Sequence, residues 1–230
     1  MSNWLPSLQV NGYALIAGVF PKSRIDKLRA AVLEALTFPG PNIQWRGDFP
    51  ALFFEPPHTY LDAMRARIAP IVQEVLGPNV LQLNNQYYFR LPGDGDEFAW
   101  HQDISFRTPP ELFDGIETRY LQTAIIVDHM GPSNGGIEFI PGSHKSGDLA
   151  LVPRDGSERG LREFKRGERK GVIVDAHPGD VLVWSVMAVH GSEPNVSHFP
   201  RAYYMNGFAS SDAVKDKTRF PWYLREGRLA

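Results

Sequence analysis

The even spread of proline and glycine along the chain constrains its fold more than any other feature. The sequence holds 19 prolines and 21 glycines, and frequent breaks of this kind are typical of many short β-strands. Two stretches, Pro21–Leu36 and Tyr60–Leu76, carry apolar residues at helical spacing and are the exceptions. From Val80 onward we predict roughly eight short strands, an order that favours an antiparallel jelly roll with the helices on one outer face.

Length and composition restrict the class of protein further. The 230 residues fit one domain or at most a tight pair of domains, and 43% hydrophobic residues supply a sizeable core. The formal net charge of −2 provides no basic surface for nucleic acid, and the lack of cysteine excludes disulfides, iron–sulfur clusters and thiolate zinc sites. We see no signal peptide and no apolar run of the ~20 residues that span a membrane. We therefore predict a cytoplasmic monomer or homodimer with no nucleic-acid or membrane partner.

A histidine and an aspartate two residues apart, His101 and Asp103, are the first candidates for chemistry. Side chains two residues apart in an extended strand point to the same face, so this imidazole and carboxylate would project together while Gln102 turns away. His190 is a candidate third ligand, because it follows the turn Pro178–Asp180 and an apolar strand. Two histidines and one carboxylate on one face of a metal form the ligand set of non-haem Fe(II) oxygenases.

The alternative is that these residues are ordinary polar side chains. His-X-Asp alone is weak evidence, and an isolated histidine is more often a satisfied polar residue than a ligand. The chain has seven histidines, so a third ligand is easily found by chance. The remaining five lie next to turn residues or at predicted strand ends: His58, His129, His144, His177 and His198.

Further motifs give His190 its context. The stretch Asn134–Lys145 follows the His-X-Asp motif, and Arg201 lies beyond His190-Gly191-Ser192 and Asn195. In this order and spacing, from about Val80 to Phe208, the motifs resemble those of the phytanoyl-CoA dioxygenase family, which are Fe(II)/2-oxoglutarate-dependent oxygenases. The resemblance implies a single domain of double-stranded β-helix fold, with a helical part at about 1–78, a β-helix core at about 80–208 and a tail at 209–230.

The resemblance implies that three residues bind iron: His101, Asp103 and His190. Related iron halogenases have a small residue in place of the carboxylate, and because this chain keeps Asp103, an oxygenase is favoured. The implied reaction oxidises a C–H bond of a small molecule with O2 and releases succinate and CO2 from 2-oxoglutarate. Hydroxylation is the expected outcome, although desaturation, epoxidation or ring formation would use the same site. The iron supplies the chemistry, so no protein general base is required.

Four residues are predicted to contact 2-oxoglutarate. By resemblance, Arg201 would hold its distal carboxylate, since a planar guanidinium suits a bidentate carboxylate, and the Ser192 hydroxyl would assist. Asn85 and Gln122, on strands before and after the His-X-Asp motif, are further candidates.

Residues near the predicted ligands could line a substrate pocket: Arg107, Phe106, Tyr87 and Trp184. Arg107 follows the ligand strand and could pair with an anionic substrate group. For most of the aromatic residues the alternative is barrel core, because only one face of a strand looks inward. The charged segment at 153–170 is either a lid over the site or a solvated loop.

Two other classes of protein compete with this hypothesis. The first is a cupin-like binding protein with a structural metal and no turnover, which would not need a dicarboxylate anchor such as Arg201 with Ser192. The second is a zinc hydrolase on the same ligands, which is disfavoured because no acidic general base is evident beside the His-X-Asp motif.

Overall fold

A computed structural model of the protein describes residues 3–37, 43–46, 51–54, 62–93, 98–107, 109–149, 152–153, 162–163 and 171–230. The predicted lid at 153–170 lies almost entirely outside the described residues. The helices in this part of the chain are α1 (Leu5–Asn11), α2 (Lys22–Thr37) and α3 (Asp62–Leu76). The strands are β1 (Tyr13–Ile16), β2 (Ile43–Arg46), β3 (Ala51–Phe54), β4 (Val80–Arg90), β5 (Phe98–His101), β6 (Tyr120–Ile126), β7 (Ile137–Phe139), β8 (Val152–Pro153), β9 (Arg162–Glu163), β10 (Val172–Ile173), β11 (Val181–Ser185), β12 (His190–Ser192), β13 (Arg201–Ser210), β14 (Trp222–Arg225) and β15 (Arg228–Leu229).

Two antiparallel sheets form the body of the protein. The larger sheet has the strand order β1-β11-β6-β13-β4-β14-β15, and β2 and β3 extend it beside β4. The smaller sheet has the order β10-β7-β12-β5. Apolar side chains from both sheets form one buried cluster between them, including Phe139 of β7 and Trp184 of β11. This arrangement is the predicted jelly roll, with an interior enclosed by two facing sheets.

The helices cover the outer face of the larger sheet, as the sequence predicted. Both predicted helices are present within two residues of their expected bounds, whereas α1 was not predicted. Apolar residues of α2 and α3 pack on the strands in one core cluster, which includes Ile25, Leu28, Ile68, Val72, Ile125, Val183, Tyr204 and Phe208. Among the described residues, no helix is both long and apolar enough to cross a membrane.

Candidate metal centre

Strand pairing places the two predicted histidine ligands side by side. The small sheet pairs β5 with β12 so that His101 stands directly opposite His190, although 88 residues lie between them in the chain. Both side chains are buried, and their ring centroids are 4.1 Å apart. Residues remote in sequence thus become neighbours because an antiparallel ladder fixes which residues face each other.

Asp103 completes a compact triad. Its Oδ1 lies 3.6 Å from His101 Nε2, and its Oδ2 lies 3.8 Å from His190 Nε2. The strand ends at His101 and Asp103 begins a short 3₁₀ helix, so the expectation of one continuous ligand strand was wrong. The two side chains still meet because Gln102 between them has extended backbone angles.

Hydrogen bonds orient two members of the triad. The Nδ1 group of His190 donates to the carbonyl of Ala188 at 2.9 Å, which turns its Nε2 toward Asp103. The indole Nε1 of Trp184 donates to Asp103 Oδ2 at 2.9 Å. Partners of this kind fix ring orientation and carboxylate position around a metal. Trp184 therefore supports a predicted metal ligand, and the predicted contact of Trp184 with substrate stays a prediction.

Burial and mutual proximity set the charges of the triad. Burial is the main cause that lowers the pKa of His190 to about 4, and the electrostatic interaction with His101 lowers it further. Burial alone would raise the pKa of Asp103, but His190 and His101 outweigh it, and the pKa is lowered. At neutral pH the triad therefore offers a neutral imidazole and an ionised carboxylate, the protonation states in which these groups bind metals.

Gln102 points away from the triad, as predicted, and has a role of its own. Its Nε2 donates to the carbonyl of Met187 at 2.6 Å and to that of Gly147 at 3.0 Å, and its Oε1 accepts from the N–H of Leu149 at 2.9 Å. This buried amide ties the loop after β7 to the segment that leads into His190.

The predicted carboxylate anchor lies between the two sheets. Arg201 begins β13 of the larger sheet and Ser192 ends β12 of the smaller one. Both are buried, and Arg201 Nη2 donates to Ser192 Oγ at 3.4 Å. The structure therefore brings together the two residues that were predicted to share one ligand, and Ser192 lies on the strand that also carries His190.

Gln122 faces the interior on β6, directly opposite Trp184 in the ladder. Its Oε1 accepts a hydrogen bond from the hydroxyl of Tyr120 at 2.5 Å, and this hydroxyl also lies 3.2 Å from Asn84 Oδ1. The Nε2 of Gln122 is buried and has no hydrogen-bond partner among the described residues. Gly207 on β13 makes this cluster possible, because any Cβ there would collide with Tyr120 and Asn84. Asn84 and Tyr120 were not anticipated from the sequence.

Asn85 and Tyr87 lie on the wrong face of β4 for the roles expected of them. Asn85 accepts a hydrogen bond from the hydroxyl of Tyr204, and both Tyr204 and Tyr87 belong to the core cluster under the helices. The alternation of side chains along β4 was read correctly, but the face that looks into the interior is the other one, which carries Asn84 and Tyr88. The sequence therefore did not show which face points inward.

The remaining substrate candidates lie near the triad. The guanidinium of Arg107 lies 4.8 Å from the centroid of the Tyr120 ring, and its Nε is buried without a hydrogen-bond partner in the described part of the chain. Its charge also helps to lower the pKa of Asp103, although less than the histidines do. Phe106 is 43% exposed, and its ring centroid is 5.5 Å from that of His101.

The donor set fits a hard to borderline divalent metal bound through one face. Two imidazoles and a carboxylate suit iron, and the hydrogen bonds from Trp184 and to Ala188 hold two of them in ligating orientation. The buried donors of Gln122 and Arg201 give an anionic cofactor polar partners within the same interior.

Comparison with known proteins supports this assignment. A model of the phytanoyl-CoA dioxygenase family matches residues 8–203. A probable alpha-ketoglutarate-dependent hypophosphite dioxygenase of Stutzerimonas stutzeri is 28% identical over 175 residues, which are 69% of this chain and 57% of the relative. An ectoine dioxygenase of Sphingopyxis alaskensis is 28% identical over 182 residues, 72% of this chain and 57% of the relative. The chain thus spans less than two thirds of the length of both relatives.

Solved structures share the fold. EctD from S. alaskensis, in its apoform, superposes with a TM-score of 0.71 at 21% identity, covering 92% of this chain and 78% of that one. EvdO2 from Micromonospora carbonacea var. aurantiaca, complexed with 2-oxoglutarate, also gives a TM-score of 0.71 at 21% identity and covers 92% of each chain. At these identities the likeness establishes the double-stranded β-helix.

Proposed function

The chain belongs to the phytanoyl-CoA dioxygenase family, and from this premise we propose that it is an Fe(II)/2-oxoglutarate-dependent dioxygenase acting on a small molecule. The observation that carries the proposal is the buried triad of His101, Asp103 and His190. These residues would hold Fe(II) through one face and leave the opposite positions open. Iron with 2-oxoglutarate and O2 supplies oxidation of a C–H bond, with release of succinate and CO2.

Arg201 and Ser192 would hold the distal carboxylate of 2-oxoglutarate. A guanidinium excluded from water makes strong charge-assisted hydrogen bonds to a carboxylate, and the Ser192 hydroxyl, which lies 3.4 Å from Arg201 Nη2, would join it. Gln122 would donate its buried Nε2 to a bound polar group. These contacts distinguish an oxygenase from a protein with a structural metal, which has no use for a buried dicarboxylate anchor.

The substrate we infer carries an anionic group and is small. Arg107 supports this inference, since its guanidinium lies on the Tyr120 ring close to Asp103 and retains a buried donor. Relatives of this chain are named for small polar substrates, among them hypophosphite, ectoine and methylphosphonate. Phe106, beside His101, would form an apolar wall of the same pocket. Hydroxylation is the outcome we propose for the oxidised carbon.

The proposal is tested with metal-free protein to which Fe(II) and 2-oxoglutarate are added under argon. The visible charge-transfer band of a keto acid chelated to iron should form in the wild type and be absent in His101→Ala. Arg201→Ala should need roughly 10- to 100-fold more 2-oxoglutarate to reach half of the band, because a charged hydrogen-bond partner is lost. Arg201→Lys keeps the charge but not the planar fork. Its 2-oxoglutarate requirement should lie between those of the wild type and Arg201→Ala.

Two results would contradict the proposal. Absence of the band in wild-type protein that demonstrably binds Fe(II) would favour a non-catalytic metal-binding protein. An unchanged 2-oxoglutarate requirement in Arg201→Ala would show that the carboxylate is held elsewhere.

A further inference from the structure

A second cluster of two histidines and one carboxylate lies on the outer surface: His129, Asp175 and His177. Their potential ligand atoms all lie within 4.8 Å of one another, as those of the buried triad do. We propose that this cluster, the surface triad, is a second metal site, which binds a divalent transition ion such as Zn²⁺ independently of the catalytic iron.

The backbone holds both histidines on one face. Met130 and Ala176 form an antiparallel bridge with two hydrogen bonds of 2.9 and 2.8 Å, and both side chains are fully buried. The residues that flank them therefore point outward, and His129 stands directly opposite His177. This is a pair without mutual backbone hydrogen bonds, the kind in which opposite side chains approach most closely. The ring centroids are 5.1 Å apart.

Asp175 joins them because it lies two residues before His177 and so projects from the same face. Its Oδ1 is 2.8 Å from His129 Nε2. The position opposite Asp175 is Gly131, where a Cβ would lie 3.1 Å from that carboxylate oxygen and 3.3 Å from the His129 ring. The missing side chain thus leaves the space in which all three groups converge.

Hydrogen bonds fix both backbone segments of the surface triad. The side chain of Asn134 donates to the carbonyl of His129 at 2.7 Å and accepts from the N–H of Gly131 at 2.9 Å. The N–H of His177 donates to Asp180 Oδ2 at 2.8 Å, and Asp180 Oδ1 accepts from the N–H of Gly18 at 2.8 Å. Because the backbone is already ordered, binding a metal requires little more than side-chain rotation.

A hydrogen-bonded surface pair between His129 and Asp175 is the simpler interpretation, and such exposed pairs contribute little to stability. It accounts for two of the three groups. Among the described residues the imidazole of His177 makes no hydrogen bond, yet its ring is held beside that of His129. Two imidazoles and a carboxylate suit Zn²⁺, Ni²⁺ and Cu²⁺, with water in the remaining positions. A bound ion would link the segment after β6 to the segment before β11.

Zn²⁺ stoichiometry tests the site. Metal-free protein is dialysed against Zn²⁺, and bound metal is measured by mass spectrometry in the wild type, His101→Ala, His177→Ala and the double variant. With both sites present, these proteins should bind about two, one, one and zero equivalents per chain. His198→Ala, which removes an exposed histidine elsewhere, should bind as the wild type does.

The outcomes separate this proposal from the proposed function. One equivalent in the wild type and in His177→Ala, with none in His101→Ala, would overturn the surface triad and leave the iron site intact. One equivalent in the wild type and in His101→Ala, with none in His177→Ala, would support the surface triad and contradict the buried one. Two equivalents in His177→Ala would also overturn the proposal, since the extra metal would lie elsewhere.

A second variant tests the role of the carboxylate without removing an imidazole. Asp175→Asn keeps the size of the side chain and should weaken Zn²⁺ binding to His101→Ala protein roughly tenfold or more, because a charged ligand is lost. In the same background Zn²⁺ should raise Tm, since it binds the folded state, and His177→Ala should abolish the rise. An equal rise with and without His177 would contradict a bridging metal at this position.

Discussion

The chain carries two clusters of the same composition in opposite environments. The side chains of the buried triad are 6 to 8% exposed, whereas those of His129 and Asp175 in the surface triad are 45% and 64% exposed. Both use a pair of opposite histidines on antiparallel segments and an aspartate two residues from one of them. The ligand types are therefore not what makes one cluster a candidate catalytic centre.

The surroundings of the two clusters account for the difference. In the buried triad, Trp184 and the carbonyl of Ala188 hold ligands in place, and Arg201 and Ser192 lie within the same interior. In the surface triad Asn134 donates to the carbonyl of His129 and Asp180 accepts from the N–H of His177, but the three side chains face solvent. A metal there would have water as its remaining ligands and no enclosed space in which to orient a substrate.

Loss of a buried ligand should have the largest effect. In His101→Ala, succinate formation from 2-oxoglutarate should fall more than about 100-fold, since even the loss of a residue that supports a ligand costs 10- to 100-fold. The measurement is succinate released per unit of protein, quantified by mass spectrometry. Wild-type turnover in His101→Ala would show that the buried triad is not the catalytic centre.

Loss of the hydrogen bond that Trp184 donates to Asp103 should have the second-largest effect. Trp184→Phe keeps an aromatic ring in the core but removes the Nε1–H that donates to Asp103 Oδ2 at 2.9 Å. Fe(II) affinity, measured by competition with a chelator, should fall roughly 10- to 100-fold. Trp222→Phe is the matched control, because Trp222 packs against Arg225 on β14 and should leave the affinity unchanged.

Removal of the Gln102 amide should affect stability. Gln102→Ala leaves the buried carbonyl of Met187, the carbonyl of Gly147 and the N–H of Leu149 without their partner, which should cost about 1–3 kcal/mol of unfolding free energy. For a chain of this size that predicts a fall in Tm of roughly 2–12 °C by calorimetry. Gln9→Ala, at an exposed position of α1, should leave Tm unchanged. An equal fall in both variants would show that the loop after β7 is held by other contacts.

The smallest effect is expected at the rim of the surface triad. Gly131→Ala places a methyl group 3.1 Å from Asp175 Oδ1, and the exposed carboxylate can move aside by rotation. Zn²⁺ binding in the His101→Ala background should weaken only about twofold, because the exposed side chains of Asp175 and His129 can rotate away from the methyl group. A loss of more than tenfold in a Zn²⁺ titration would show that this cluster is as rigid as the buried one.

Much of the fold and the core of the site could be predicted from the sequence. Proline and glycine spacing indicated strands, the periodicity of α2 and α3 indicated helices, and the motifs along the strands singled out His101, Asp103 and His190. The structure brings these three residues together, with Arg201 and Ser192 in the same interior. Such residues can be found because the order and spacing of their motifs resemble those of a known family.

The remaining features depend on which face of a strand looks inward and on contacts between segments that are remote in the chain. Asn85 and Tyr87 were placed on the inner face, but they lie under the helices, whereas Tyr88 of the opposite face packs against the interior cluster. Alternation assigns residues to two faces and does not show which face looks inward. The role of Trp184 follows from a contact between its strand and the segment that follows β5 of the other sheet. The surface triad was missed because His129 and His177 stand beside turns, and the bridge that makes them neighbours spans 45 intervening residues of chain.

The place of β13 in the larger sheet has a consequence for synthesis on the ribosome. This strand lies between β6 and β4, yet more than a hundred residues separate it from β4 in the chain. While the chain emerges, β4 and β6 have no partner to join them, and the two sheets cannot close over the interior. Binding of metal at the proposed site would thus be a late event, which follows translation of Arg201 and the strand it begins, and nascent chains should be poor acceptors of metal.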